Sequence, residues 1–347
     1  MNKPKKLVVI AIVVVLLALA LYSSVATSGR IEADSGHRLV MGTFARVVAI
    51  APNSGKAQEC IRAAFAQIEK TDELMSDYKD DSEISRVNKD GFRRAVEVSE
   101  STFEVLQRAV EFSKLTAGAF DVTVGPLVDV LHAAEKKGVT PTEEQIARAR
   151  SKVGFEKLQL DARNKTVKFA VDGMRLDLGG IAKGYAIDRA VEAMQKSGAT
   201  GGMVDVGGDI RCFGTPPRRN KYWRIGVQDP NVTDEDIGIG EPLLVLKLTN
   251  AAVATSGGYR RFALIEGKKY SHIIDAKLGS SAAEFASVTI ISKDAITADA
   301  LATAVSVMGP ETGLALIETM PETEAISISP QPDFKLTKTT GAESYIK

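Results

Sequence analysis

The chain has 347 residues, 44% of them apolar and 25% charged, which is enough for one large domain or two ordinary ones around a substantial core. Lysine plus arginine and aspartate plus glutamate both number 44, and this balance lacks the basic excess that is typical of nucleic-acid-binding surfaces. The two cysteines, Cys60 and Cys212, belong to no Cys-x-x-Cys motif or Cys/His cluster, which argues against a zinc site. Whether they pair in an oxidising compartment is left open by the sequence.

The N-terminus has the pattern of an export signal. Three lysines within residues 2–6 precede an unbroken apolar run over residues 7–21. Ser24-Val25-Ala26 supplies the small residues that signal peptidase requires, so residues 1–26 are predicted to be a cleaved signal peptide or an uncleaved anchor of about 20 residues. In both cases we expect the body of the protein to lie outside the cytoplasm, at the cytoplasmic membrane and facing the periplasm or the outside.

The remaining chain predicts a short linker followed by one folded domain. Residues 27–36 are polar and predict the linker, so the domain is expected over residues 37–347. Helices are predicted over residues 54–75, 101–117, 141–151, 181–197 and 298–308. Strands are predicted over residues 38–51, 158–160, 166–170, 174–178, 202–206, 223–227, 243–248 and 253–256. Helices interleaved with short, hairpin-like strands favour an α+β fold with mixed or antiparallel sheets over a doubly wound parallel sheet.

Two polar segments combine carboxylates with paired glycines. In Asp177-Leu178-Gly179-Gly180 a carboxylate ends a predicted strand and the glycines open a helix, where close backbone approach and free N–H groups suit a phosphate. Neither Gly-x-Gly-x-x-Gly nor a P-loop is present, and taken alone the segment is more simply a strand–turn–helix connection capped by Asp177. Asp205-Val206-Gly207-Gly208-Asp209 is either a ligand-facing turn or a tight hairpin.

Two further segments carry a histidine and a pair of hard oxygen donors. Ser271-His272-Ile273-Ile274-Asp275 indicates either a general base oriented by a carboxylate or a structural histidine. Asp299 and Thr303 lie four residues apart, on one face of a predicted helix, and their oxygens suit Mg²⁺ better than zinc. Alternatively, Asp299 caps the helix and Thr303 bonds to its own backbone.

Taken together and in this order, these segments resemble the ApbE family of flavin transferases. The resemblance extends from Met41 to about Gly309. The matching blocks are Met41-Gly42-Thr43, Met75-Ser76-Asp77-Tyr78 with Asp81-Ser82-Glu83-Ile84-Ser85, Gly118-Ala119-Phe120-Asp121, residues 177–184, Val206-Gly207-Gly208-Asp209, Ala254-Thr255-Ser256-Gly257, His272-Ile273-Ile274-Asp275 and residues 298–303.

The resemblance implies a single α+β domain and a Mg²⁺-dependent FAD:protein FMN transferase. Such an enzyme cleaves FAD, releases AMP and attaches FMN by a phosphoester bond to a Thr or Ser of a target protein, which in the family is a subunit of a membrane or exported electron-transfer complex. It also implies that His272 is the base that deprotonates the target hydroxyl, and that the metal is held by the Gly180 carbonyl, Asp299 and Thr303. The implied FAD contacts are Met41, Tyr78, Ala119, Phe120, Asp121, Asp177, Lys183 and Ile274.

Two alternatives share the same site. An FAD pyrophosphatase would release FMN and AMP with water as the acceptor, and an exported flavin-binding protein would hold FAD without catalysis. The chain also departs from the family pattern after Asp275, where Ala276-Lys277-Leu278-Gly279 replaces the usual Pro and Thr-Gly, so we expect a looser turn there. The presence of both His272 and the Asp299/Thr303 pair favours a catalyst over a carrier.

Overall fold

The computed structural model describes residues 30–214, 216, 220–230, 241–258, 262–282, 285–330, 332 and 334–347, and the predicted signal or anchor segment 1–26 lies outside them. The helices are α1 (Ser54–Met75), α2 (Glu83–Asp90), α3 (Glu100–Leu115), α4 (Gly125–Lys137), α5 (Glu143–Arg150), α6 (Ala182–Lys196) and α7 (Ala295–Glu318). The strands are β1 (Ile31–Val40), β2 (Thr43–Ala51), β3 (Val96–Glu97), β4 (Leu158–Asp161), β5 (Thr166–Phe169), β6 (Gly201–Val206), β7 (Asp209–Phe213), β8 (Trp223–Val227), β9 (Leu244–Leu248), β10 (Ala251–Gly257), β11 (Phe262–Ile265), β12 (Lys268–Ser271), β13 (Ile274–Asp275), β14 (Ser280–Ser281), β15 (Ser287–Ser292), β16 (Glu324–Ile328) and β17 (Leu336–Lys338).

An eight-stranded antiparallel sheet organises the fold, in the order β1-β2-β6-β7-β10-β15-β16-β17. Alternate residues of β2 enter different cores, with Ala45, Val47 and Ala49 on one face and Val48 and Ile50 on the other. This is the period of two that a strand buried on both faces requires. Helices α1, α6 and α7 cover the first face, and the β8–β9 hairpin covers the second. The predicted α+β class, with antiparallel sheets and flanking helices, is confirmed.

Strand β1 occupies part of the predicted linker. It begins at Ile31 and pairs with β2, so residues 31–36 belong to the sheet. Its residues are polar because β1 is an edge strand, and Asp34 pairs with Arg46 on β2. The chain turns at Met41-Gly42, so the single strand predicted over residues 38–51 is divided between the two arms of a hairpin.

Helix boundaries follow their capping residues. Helix α1 has the predicted bounds, and the Asn53 side chain caps it. Ser99 caps α3. Thr142 and Gln145 form a reciprocal capping box at α5, so Pro141 lies before this helix and not in its first turn, where the sequence placed it. Residues 174–178 form no strand and make one isolated bridge, between Arg175 and Val124.

Helix α7 is the central helix of the larger core. Among the described residues it is the one helix that is long and apolar enough to cross a membrane by length and composition. Half of its most apolar 18-residue stretch is buried within the protein. The helix packs on β10 and β15 and is broken at Gly309-Pro310. These contacts identify α7 as a core helix.

The two cysteines are unbonded. Cys60 and Cys212 are both buried, but they lie in separate cores on opposite faces of the sheet.

Candidate functional site

A partly buried lysine joins three of the elements that carry the polar segments. Lys183 lies in the first turn of α6, and its Nζ is 2.5 Å from Asp209 Oδ2 and 2.9 Å from Asp299 Oδ1. Asp209 begins β7, and Asp299 lies about one turn into α7. The second oxygen of Asp299 accepts a hydrogen bond of 3.0 Å from Gly184 N, so this carboxylate also caps the start of α6. We call Lys183, Asp209 and Asp299 the lysine cluster.

Burial sets the electrostatics of the lysine cluster. The Asp209 and Asp299 side chains are only 5% and 4% exposed. Burial opposes the charge on Lys183, but the two carboxylates outweigh it and raise the pKa of the ammonium above its usual range. Burial raises the pKa of Asp209 to about 6, because the attraction of Lys183 offsets it only in part and Asp299 adds repulsion. With both carboxylates ionised the cluster has one negative charge in excess, which favours the approach of a further cation.

A group of hard oxygen atoms lies beside the lysine cluster. Thr303 shares one face of α7 with Asp299, as predicted, and its Oγ1 lies 3.5 Å from Ser256 Oγ on β10. A Cβ atom built on Gly180 would lie 3.0 Å from Thr303 Oγ1 and 3.3 Å from the Phe120 ring, so the Gly180 backbone approaches the hydroxyl closely and leaves little room for a side chain. Asp294 is the N-cap of α7, which excludes the alternative that Asp299 caps its own helix.

These oxygens fit a hard divalent cation. A carboxylate, hydroxyls and a backbone carbonyl are the donor types that Mg²⁺ accepts, usually together with several waters. Within the described residues no cluster of three His, Cys, Asp or Glu side chains occurs, so a cation held here would depend on hydroxyl and carbonyl oxygens beside the single Asp299 carboxylate.

The segment that follows α3 forms another side of the candidate site. Helix α3 ends at Leu115, two residues before the predicted end, and Gly118, with a φ of 82°, donates a hydrogen bond of 2.7 Å to Ser113 O after it. Phe120 is buried and lies edge-on to Phe112, with ring centroids 6.2 Å apart. Asp121 is also buried, and its carboxylate accepts hydrogen bonds from Thr123 N, Thr123 Oγ1 and Phe155 N. Burial raises the pKa of Asp121 in spite of these bonds. Its carboxylate therefore fixes the shape of this segment, and the neighbouring Ala119 is buried as well.

A backbone hydrogen bond holds Asp177 next to the segment that follows α3. Its N–H donates to Val122 O over 2.8 Å, and its Oδ1 accepts a hydrogen bond from Gly179 N. Burial raises the pKa of Asp177. The Asn88 side chain exchanges two hydrogen bonds with the backbone of Leu176, which replaces the ladder that the predicted strand would have supplied. The segment before the glycines is therefore held by the Asn88 side chain and by isolated backbone contacts, and not by a sheet.

Met41 and Tyr78 lie on turns at the margin of the fold. Met41 has a φ of 52° in the β1–β2 turn, and a Cβ atom built on Gly207 would lie 3.0 Å from Thr43 Oγ1, so this turn meets the β6–β7 turn. The segment Asp205–Asp209 is accordingly a tight hairpin, and it brings Asp209 to Lys183. Tyr78 is 83% exposed, and the preceding Asp77 pairs with Arg175 over 2.6 Å.

His272 is an exposed residue in a segment whose neighbours Ser271 and Ile273 are buried. Gly258 follows β10, and a Cβ atom built on it would lie 3.3 Å from Ser271 Cβ, so the residue before His272 packs against the chain that carries Ser256. The His272 side chain is exposed, whereas the Ile274 side chain packs in a small core with Leu127.

Three hydrogen bonds to Asp275 stabilise the turn that follows this segment. Asp275 Oδ1 accepts hydrogen bonds from Lys277 N and Leu278 N, and Gly279 N donates to Asp275 O over 2.7 Å. The absence of proline predicted a looser turn, but the Asp275 carboxylate holds this turn closed.

The structure gives a place in the site to residues to which the sequence assigned no role. Asp209 holds Lys183, Thr255 N donates to Asp209 Oδ1 over 3.3 Å, and Ser256 lies beside Thr303. The signal for all three was present, because they lie in the Val206–Asp209 and Ala254–Gly257 blocks of the family resemblance.

Comparison with known proteins identifies the family. The ApbE family model matches residues 41–327. The FAD:protein FMN transferase of Vibrio cholerae is 35% identical over 254 residues, which are 72% of this chain and 74% of the relative. That of Treponema pallidum is 30% identical over 315 residues, or 87% and 86% of the two chains.

Solved structures agree with the sequence comparison. The crystal structure of the ApbE protein from Thermotoga maritima is similar with a TM-score of 0.79 and 31% identity, and it covers 92% of this chain and 99% of that one. The flavin transferase ApbE from Vibrio cholerae gives a TM-score of 0.78 and 30% identity over 91% of this chain and 99% of its own. The chain therefore belongs to the ApbE family.

Proposed function

We propose that this protein is an FAD:protein FMN transferase that cleaves FAD, releases AMP and attaches FMN by a phosphoester bond to a Thr or Ser of a target protein. The observation that carries the proposal is the match to relatives of that name over most of the chain, with the Lys183, Asp209, Asp299 and Thr303 segments gathered into one polar site.

Three residues would hold Mg²⁺, namely Asp299, Thr303 and Gly180 through its carbonyl. The ion would supply positive charge to the pyrophosphate of FAD. Asp209 keeps the Lys183 ammonium ionised and in place, and this ammonium can neutralise charge that develops on the phosphate oxygens. The buried Phe120 ring lies next to Gly180 and gives that side of the site an apolar surface.

His272 would act at the acceptor end of the reaction. A serine or threonine hydroxyl is a poor nucleophile until a base removes its proton. In the transfer step the proton passes to His272, the hydroxyl oxygen forms a bond to the phosphorus of the FMN half, and the bond from that phosphorus to the AMP oxygen breaks. The exposed position of His272 suits an acceptor that is itself a protein, because a folded target can reach this surface and cannot enter a closed pocket.

We infer the location from the N-terminal sequence and the class of partner from the family resemblance. The basic and apolar N-terminal segment supports an exported protein at the cytoplasmic membrane, facing the periplasm or the outside. The target would then be a subunit of a membrane or exported electron-transfer complex.

The test uses the body of the protein from residue 30 with FAD, Mg²⁺ and a target fragment bearing the family acceptor motif Asp-x-x-Ser/Thr-Gly-Ala-Thr. We expect the intact mass of the fragment to increase by one FMN, with one AMP released, and EDTA to abolish both changes. Release of FMN and AMP without a mass gain would support the pyrophosphatase, and FAD that stays bound and intact would support the carrier.

A further inference from the structure

A second carboxylate–cation pair lies next to the lysine cluster and is not explained by the proposed chemistry. Asp188 is 3% exposed, and its Oδ1 lies 2.6 Å from an Arg211 guanidinium nitrogen. The same carboxylate accepts hydrogen bonds from Ala295 N and Ile296 N, each 2.9 Å long. Both oxygens of the Asp188 carboxylate therefore have hydrogen-bond partners inside the protein.

This pair lies on the same three elements as the lysine cluster. Helix α6 carries Lys183 and Asp188, strand β7 carries Asp209 and Arg211, and α7 contributes Asp299 to the cluster and its first backbone N–H groups to Asp188. At 1.5 Å per residue, Asp299 stands only about 6 Å along α7 from Ala295. A shift at the start of α7 is consequently transmitted to Asp299 and to the next turn of the same face.

The contacts of Asp188 depend on how the two helices are placed. Asp294 already caps α7 from within, accepting a hydrogen bond of 3.0 Å from Thr297 N. Asp188 bonds to the two preceding N–H groups from another helix, so these bonds form at only one relative position of α6 and α7. Helices α6 and α7 approach each other closely at this point, since a Cβ atom built on Gly184 would lie 2.3 Å from Ala295 O.

We propose that Asp188, supported by Arg211, is a positioning residue that holds α7 so that Asp299 and Thr303 can bind a divalent cation. The inference rests on the metal site of the proposed function. Arg211 anchors the carboxylate to β7, the strand that also presents Asp209, so one side chain sets the positions of all three elements. Neither Asp188 nor Arg211 is expected to touch the cation or FAD.

Direct binding of Mn²⁺ to the FAD-free protein tests the proposal, with the free ion measured by electron paramagnetic resonance. Asp188→Asn keeps the size of the side chain but replaces an accepting oxygen by an NH₂ group, and we expect the Kd for Mn²⁺ to rise at least about tenfold, the range seen when supporting residues of metal sites are removed. Arg211→Gln should raise it less, and Arg211→Lys should restore an affinity near that of the unaltered protein.

The matched control is Asp294→Ala. It removes the cap that α7 provides for itself, and so weakens the same helix end without altering its attachment to α6. We expect its Kd for Mn²⁺ to stay within about twofold of the unaltered protein, although its Tm falls. All affinities are measured well below the Tm of each variant, with circular dichroism as the check on folding.

The outcomes separate the two proposals. An Asp188→Asn variant that melts earlier but binds Mn²⁺ normally would make Asp188 a structural cap and overturn the inference while leaving the transferase proposal intact. Equal weakening in Asp294→Ala would also overturn it. If Asp188→Asn does not fold, unchanged affinity in Arg211→Gln overturns the inference and weakened affinity supports it. Failure of the unaltered protein to bind Mn²⁺ would overturn the metal assignment itself.

Discussion

Replacement of Lys183 by methionine would remove the cation that two buried carboxylates share. Lys183 Nζ lies 2.5 Å from Asp209 and 2.9 Å from Asp299, and these carboxylate side chains are only 5% and 4% exposed, so water can replace the lysine only in part. Removing one partner of a buried ion pair costs about 3–5 kcal/mol, while methionine keeps most of the aliphatic packing. We expect the Tm of the metal-free protein to fall by roughly 5–8 °C at pH 8.

The loss should depend on pH and on divalent cations. Burial already raises the pKa of Asp209 to about 6, and without the attraction of Lys183 it rises further. The folded state then binds a proton that the unfolded chain has released, so the stability of the variant falls as the pH rises through the raised pKa and recovers as the pH is lowered towards 5. Mg²⁺ should raise the Tm of the variant more than that of the unaltered protein, because it restores positive charge beside Asp299.

Differential scanning calorimetry at pH 5 and pH 8, with and without Mg²⁺, would measure these effects. Lys56→Met is the matched control, because Lys56 pairs with Glu59 at 2.9 Å with side chains 38% and 51% exposed. Loss of such a surface pair costs less than about 1 kcal/mol. If Lys183→Met and Lys56→Met lower the Tm equally at pH 8 without Mg²⁺, the assignment of Lys183 as the neutralising cation of a buried cluster is wrong.

Three further substitutions test separate parts of the site. Asp299→Ala should reduce FMN transfer more than about 100-fold with the fold retained by circular dichroism, and normal turnover at low Mg²⁺ would exclude Asp299 as a ligand. His272→Ala should leave FAD binding, followed by flavin fluorescence, within about twofold while transfer falls by about 10²–10⁴, and unchanged transfer would remove His272 from the mechanism. Gly184→Ala would place a Cβ atom 2.3 Å from Ala295 O, and such overpacking should cost at least about 1–3 kcal/mol in urea denaturation; an unaltered midpoint would show that α6 and α7 can separate without penalty.

The sequence predicted those helices and strands that are marked by neighbouring residues, through their apolar period. The bounds of α1 were predicted in full, because its apolar residues recur at the helical period and Asn53 marks its start. Residues 31–36 of β1 resemble a linker because an edge strand needs no apolar face, and polar residues such as Asp34 and Ser35 are also typical of loops. Residues 174–178 alternate like a strand, but Asn88 supplies from a distant helix the hydrogen bonds that a neighbouring strand would have made.

The site itself depended on contacts that no local pattern contains. Asp299 and Thr303 could be placed on one helix face from their spacing alone. The link from Lys183 to Asp209 and Asp299 joins positions 26 and 116 residues apart, so only the complete fold, or resemblance to a family, brings them together. The role of Asp209 could not be assigned for this reason, since an aspartate after two glycines is equally the first residue of a hairpin strand.

The two ends of the site differ in exposure, and this difference matches the two halves of the proposed reaction. The lysine cluster is enclosed by α6, β7 and α7, where burial strengthens the interaction of fixed charges with a pyrophosphate. His272 and Tyr78 lie at the surface, where a second protein can approach. A hydrolase needs no such surface, because water can reach a closed pocket, whereas transfer to a protein requires that the acceptor hydroxyl meet the base. The combination of a buried charged cluster with an exposed histidine therefore favours transfer over hydrolysis.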